Sequence, residues 1–174
     1  VRGINVGGRH KVVMEEFCHD LKELGMSNVS SYINSGNFFF DSSLMKVELL
    51  LVLERFLNKT YPFIKVFSLF TLEDYQNEVA SLPKWWEDDF YRKDVLLYTE
   101  RLDKNEMRNV IESLELGDEI IHLGQLGIYW GKFDKSSYNQ TAYHKKLLKA
   151  PFYPSITIRN ARTFSKIGQF LRMK

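Results

Sequence analysis

The sequence predicts an α+β protein with two similar halves, and three observations carry that expectation. One order of elements occurs twice, turns rich in glycine and asparagine join short β-branched or aromatic runs, and capped amphipathic helices separate them. The first half opens with a strand remnant at Val1 to Ile4. A helix follows, in which Met14, Phe17, Cys18, Leu21 and Leu24 keep helical spacing and Gly25 closes the last turn. Val29 to Ile33 and Phe38 to Phe40 flank Asn34-Ser35-Gly36-Asn37, which is hairpin chemistry because asparagine and glycine tolerate positive φ. Ser43 is positioned to cap a long helix over Leu44 to Tyr61, and Pro62 ends it before a strand at Ile64 to Leu69. Thr71-Leu72-Glu73-Asp74 then starts a further helix as a capping box, with Leu72, Tyr75 and Val79 on its apolar stripe.

Beyond Pro83 to Arg92 the order begins again. Asp94 to Thr99 reads as a strand, and Asp103 with Glu106 caps a helix carrying Met107, Val110, Ile111 and Leu114. Glu119 to Leu123 and Gly127 to Lys132 form a hairpin around Gly124-Gln125-Leu126, a short basic helix spans Tyr143 to Lys149, and Ile156 to Arg159 is the last strand before a helix from Ala161 to Met173. The first six elements of each half spell βαββαβ, the ferredoxin-like arrangement. The predicted fold is a tandem duplication of two ferredoxin-like units, each followed by an extra helix. The predicted boundaries are 1–82 and 93–174, with a linker at 83–92 that holds Trp85 and Trp86 to cover the joint.

Composition narrows the class. With 174 residues, 44% hydrophobic and 14% aromatic, the chain can bury a full core. Cys18 is the single cysteine, so no internal disulfide exists and a reducing compartment is compatible. The longest apolar run, Leu49 to Leu53, falls far below the roughly 20 residues of a spanning helix, so a soluble, cytoplasmic protein without membrane attachment is expected. Charge is lopsided. From residue 132 onward ten Lys and Arg face Asp134 alone, a formal +9, while the preceding residues hold 14 basic and 21 acidic side chains. That segment either presents a basic patch to phosphates or nucleic acid, or complements the acidic part within the molecule.

In a ferredoxin-like sheet the end of the first strand lies beside the start of the third. Asn5, Gly7 and Gly8 are therefore expected to meet Asn34, Ser35, Gly36 and Asn37, at the N-terminus of the first helix. Arg2, Arg9, His10 and Lys11 add cationic and hydrogen-bonding groups to this rim, although Arg2 is equally placed to point across the sheet. A pocket for phosphate or carboxylate is the functional expectation, and the alternative is that these residues only turn the chain. The glycine spacing matches neither a dinucleotide fingerprint nor a P-loop, and no cofactor is expected.

Arg2-Gly3-Ile4-Asn5-Val6-Gly7-Gly8, Tyr32-Ile33-Asn34-Ser35-Gly36-Asn37 and the late Thr157-Ile158-Arg159-Asn160 with Thr163 together resemble the bacterial family of domain of unknown function 1697, DUF1697. The resemblance implies a small bacterial α/β protein of this two-part type and brings no established activity. It adds Arg159 and Asn160 to the candidate ligand-binding residues. Members of that family precede the opening motif with apolar strand residues, so the first strand is expected to be truncated at Val1.

Three further readings stand beside the rim. Phe38-Phe39-Phe40 is either a base-stacking platform or a strand buried on both faces, with burial favoured. Lys145, Lys146 and Lys149 with Arg159, Arg162, Lys166 and Arg172 track a phosphate backbone, or else Lys145, Lys146 and Lys149 are the solvated face of a short helix whose other face is Leu147 and Leu148. Leu49 to Leu53 gives the long helix apolar residues nearly all round, which calls for a second neighbour from the other half or a partner subunit. His10, His19, His122 and His144 lack metal spacing, and Glu87, Asp88 and Asp89 read as a solvated linker cluster. The expected function is binding of a phosphorylated small molecule or a nucleic acid. An enzyme acting on a phosphorylated metabolite, with His10 as acid or base, and a homo-oligomeric interaction module are the alternatives.

Overall fold

The computed structural model describes residues 1–8 and 10–172. Six helices and six strands run through them: α1 (Met14–Glu23), β1 (Ser27–Tyr32), β2 (Asn37–Asp41), α2 (Lys46–Thr60), α3 (Leu72–Ser81), β3 (Arg92–Tyr98), α4 (Lys104–Glu112), β4 (Glu119–Leu123), β5 (Gly127–Lys132), α5 (Ala142–Lys145), β6 (Ile156–Asn160) and α6 (Ala161–Arg172). The strands make two antiparallel sheets, β1-β2 and β4-β5-β3-β6.

Strand alternation sorts the larger sheet into two covered faces. Leu96 opposite Ile128, with Trp130, packs under α4 and α5 through Met107, Ile111 and Tyr143. Val95, Leu97 and Tyr129 face the other way, onto Tyr75 of α3 and Phe164 and Ile167 of α6. Phe39 of β2 joins this second core, where it stacks on Phe170 at 5.1 Å. Phe38 and Phe40 instead line a third core with Phe17, Leu53 and Phe56, and Phe38 stacks on Phe17 at 4.1 Å. The Phe38-Phe39-Phe40 run is therefore covered on both sides and offers no stacking platform.

Local signals account for most boundaries. The Thr71 hydroxyl accepts from Asp74 N–H at 3.0 Å while the Asp74 carboxylate accepts from Thr71 N–H, a complete capping box for α3. Asp103 accepts from the N–H groups of Asn105 and Glu106 and starts α4. Gly25 closes α1 with φ +89°. Ser43 does not cap α2: the helix begins at Lys46, and the Glu48 carboxylate folds back onto Met45 N–H at 3.1 Å. Two expected strands are not formed. Gly3 at φ +76° turns the chain out of the extended run begun at Val1, and residues 64–69 hold no ladder beyond one bond, from Arg2 N–H to Val66 carbonyl at 3.2 Å. Met173, the predicted end of the last helix, lies outside the described residues. Among those residues no helix is long and apolar enough to cross a membrane.

Candidate functional site

The two glycine-bearing turns meet, and Asn5 joins them. Its side-chain amide donates to the Asn34 carbonyl at 3.0 Å and to the Val12 carbonyl at 3.0 Å, and its Oδ1 accepts from Val12 N–H at 2.8 Å. Asn5 N–H also donates to the His10 carbonyl at 3.1 Å. The segment from 5 to 12 is thus a closed loop pinned by one asparagine, with Val6, Gly7, Gly8, His10 and Lys11 exposed on its outside. Gly7 and Gly8 have φ of +60° and +74°, and a Cβ at either would meet nothing within 4 Å. Among the described residues neither of their N–H groups donates a hydrogen bond. Arg9 lies outside the described residues.

Left-handed backbone is concentrated here. Among the described residues four non-glycine residues have positive φ, and three of them, Asn5, His10 and Ile33, belong to the two joined turns. Ile33 is β-branched, for which this conformation carries real strain. Non-glycine strain of this kind persists only where surrounding contacts fix it, and it gathers at binding and switch sites.

The two candidate arginines work inward. Arg2 donates from Nη1 to the carbonyls of Tyr153 and Ile156 at 2.9 and 2.7 Å, and its guanidinium lies 4.4 Å from the centre of the Tyr153 ring. Arg159, on β6, reaches back the opposite way. Its Nε donates to Asn37 Oδ1 at 2.6 Å, and Nη2 donates to the carbonyls of Val1, Ser35 and Gly36 at 2.9, 3.1 and 3.3 Å. No carboxylate pairs with it among the described residues, and burial lowers its pKa to about 10. Gly36 is required where it stands, because a Cβ would lie 2.4 Å from Val1 Cγ2. Asn37 completes the turn by donating to the Tyr32 carbonyl at 3.0 Å. An apolar cavity of about 110 Å³ lies beside Arg159, walled by Phe39, Leu57, Phe67 and Leu171. A hydroxyl contact of 3.2 Å between Ser68 and Thr157 lies on the same cavity wall.

Asn160 stands apart from the rim, since its Oδ1 accepts from Thr163 N–H at 2.8 Å and caps α6. Nor does α1 offer a vacant positive end: Glu15 and Glu16 occupy its first turn. His10 lies over Phe63, ring centres 4.8 Å apart, without a carboxylate partner among the described residues. No His, Cys, Asp or Glu group among those residues is placed to hold a metal ion. Lys145, Lys146 and Lys149 flank the α5 side of the larger sheet, whereas Arg162, Lys166 and Arg172 lie on α6 across it, so the basic segment is divided between opposite faces.

A second polar cluster escaped the sequence reading. Lys132 is 0% exposed and bonds Asp94 Oδ2 at 2.6 Å, the same oxygen that Arg92 Nε reaches at 2.7 Å. The Lys132 ammonium lies 3.5 Å from the Tyr143 ring centre. Burial lowers its pKa to about 8 against the opposing pull of Asp94. Parity was the available signal: Ile128, Trp130 and Lys132 alternate on β5, so a lysine at the core-facing position demands an acid on the neighbouring strand.

A family model for a protein of unknown function, DUF1697, matches residues 1–129, about three quarters of the molecule. The chain belongs to the DUF1697 family. This DUF1697 protein is similar throughout to a solved structure, that of a conserved bacterial protein from Streptococcus pneumoniae. The two share 57% identity over 98% of this chain and 95% of that one, with a TM-score of 0.96. No curated protein matches the DUF1697 chain.

Proposed function

We propose that this protein binds a phosphorylated small molecule on the outer face of the joined turns, with the phosphate over the N–H groups of Gly7 and Gly8. The observation that carries the reading is the Asn5 clasp to Asn34, which fixes two exposed, left-handed glycines in a closed loop. Consecutive N–H groups around positive-φ residues form concave anion sites. Lys11 and His10 supply positive and hydrogen-bonding character at its edge. Arg2, Arg159 and Asn37 act behind the loop as supports. A compact ligand fits better than a nucleic acid, because the basic side chains needed to follow a phosphate backbone are split across the larger sheet.

The same reading treats the chain as two ferredoxin-like units, 1–82 and 93–174, joined through 83–92, in a cytoplasmic protein. The strand order β4-β5-β3-β6 supports it for the second unit, and the β1-β2 hairpin after α1 supports it for the first. Amide NMR tests the ligand. Titration with inorganic phosphate, sugar phosphates and nucleoside monophosphates to about 10 mM, enough to reveal millimolar affinity, is expected to move the Gly7 and Gly8 signals saturably. Signals that stay fixed with every compound sink the proposal.

A further inference from the structure

Helix α2 buries Leu49, Leu53, Phe56 and Leu57 and turns a second apolar stripe to solvent. Val47 is 66% exposed and Leu51 50%, and Leu44 and Met45 extend the stripe ahead of the helix at 39% and 70%. At 3.6 residues per turn, Val47, Glu48, Leu51 and Arg55 fall within an arc of roughly 100°. A groove of about 420 Å³ runs alongside between α1 and α2, over Leu24, Val52 and Phe56. Exposed large apolar groups gathered on one helix face mark an interaction surface.

The charges on the stripe select the occupant. Neither Glu48 nor Arg55 has an ion-pair partner among the described residues, although Lys46 nearby pairs with Asp74 at 3.1 Å. Glu48 uses Oε2 on Met45 N–H and keeps Oε1 for a second donor. Glu48 and Arg55 sit on either side of Leu51, about 4.5 and 6 Å along the axis. When two such helices run antiparallel about a two-fold axis beside Leu51, the Glu48 of each reaches the height of the Arg55 of the other. Both ion pairs form at once and the Leu51 side chains meet at the axis. A parallel arrangement would place like charges together. Antiparallel helices also oppose their dipoles. Self-complementarity of this kind is the mark of an isologous interface.

We infer that α2 is the interface of a homodimer, in which Leu51 packs on or beside its own copy across a two-fold axis and Glu48 pairs with Arg55 of the second copy. One helix and its flanking groove make a small interface, so the dimer forms in the micromolar range.

Sedimentation velocity of the full chain tests this, with a dimer expected at about 100 µM and a monomer at about 1 µM. Leu51→Glu places two carboxylates at the axis and is expected to weaken association by roughly 100-fold or more. Leu51 is already half exposed, so an unchanged far-UV spectrum serves as the folding control. Glu48→Arg and Arg55→Glu are each expected to weaken the dimer when alone. Mixed in equal amounts they restore it, because the heterodimer recovers both pairs. A monomer at every concentration, a dimer indifferent to Leu51→Glu, or single variants that stay apart on mixing each overturn the proposal.

Discussion

The two hairpin turns of the molecule are held by opposite charges. At the β4–β5 turn, the buried Glu78 of α3 takes the Gln125 N–H at 2.9 Å, so an anion claims the donor side of the turn. At the β1–β2 turn, the buried Arg159 of β6 gives its N–H groups to the carbonyls of Ser35 and Gly36, so a cation claims the acceptor side. The first arrangement seals its turn, and a Cβ at Gly124 would lie 2.0 Å from Glu78 Oε1. The second leaves the donor side outward, next to a loop whose own glycines are open. An internal carboxylate fills one turn of this protein, while an internal cation braces the other from behind and the glycine loop beside it faces solvent.

The strongest test of that contrast is to remove the cation. Arg159→Leu strips donors from Asn37 and several carbonyls while leaving them buried, and is expected to cost about 3 kcal/mol in urea unfolding. It should also abolish any phosphate response at Gly7 and Gly8. The glycines separate the turns next. Gly124→Ala forces Glu78 or Tyr129 to move and is expected to cost about 2 kcal/mol, whereas Gly8→Ala meets open space and pays only for its positive φ, about 1 kcal/mol. Equal costs at the two sites would erase the distinction between the sealed β4–β5 turn and the open loop of Gly7 and Gly8 beside the β1–β2 turn.

The finest effect is one of slope, at the other buried cation. Lys132 titrates near 8 when folded, against 10.5 when unfolded. Between those values the unfolded chain binds more protons, so its contribution to stability rises with pH through that window and is flat below it. Lys132→Met is expected to remove this rise in unfolding curves taken from pH 7 to 10. A variant with the parent's slope would show that Lys132 keeps an ordinary affinity for its proton.

The meeting of the two turns was legible because the element order places the opening segment beside the β1–β2 turn, even though no strand forms at Val1 to Ile4, and Asn5 is a residue type suited to pinning a loop. The direction of the arginines was not. A sequence gives Arg2 and Arg159 as cations near a candidate anion site, but whether each faces a guest or the chain depends on carbonyls from Tyr153, Ile156, Ser35 and Gly36, which only contacts between distant parts of the sequence supply. Asn160 could have been read correctly, since an asparagine ahead of Ala161 with Thr163 behind it is a helix cap. The strand expected at Val1 to Ile4 failed for a local reason: Gly3 breaks the run that Val1 begins.

The reciprocal arginines also bear on how the chain matures. Arg2 finds its acceptors about 150 residues later, and Arg159 returns over a similar span. During synthesis the Asn5 clasp can form early, but the carbonyls of Val1, Ser35 and Gly36 must stay wet until the strand that carries Arg159 has left the ribosome. A nascent chain that ends before β6 would carry the opening sequence without the brace that Arg159 provides.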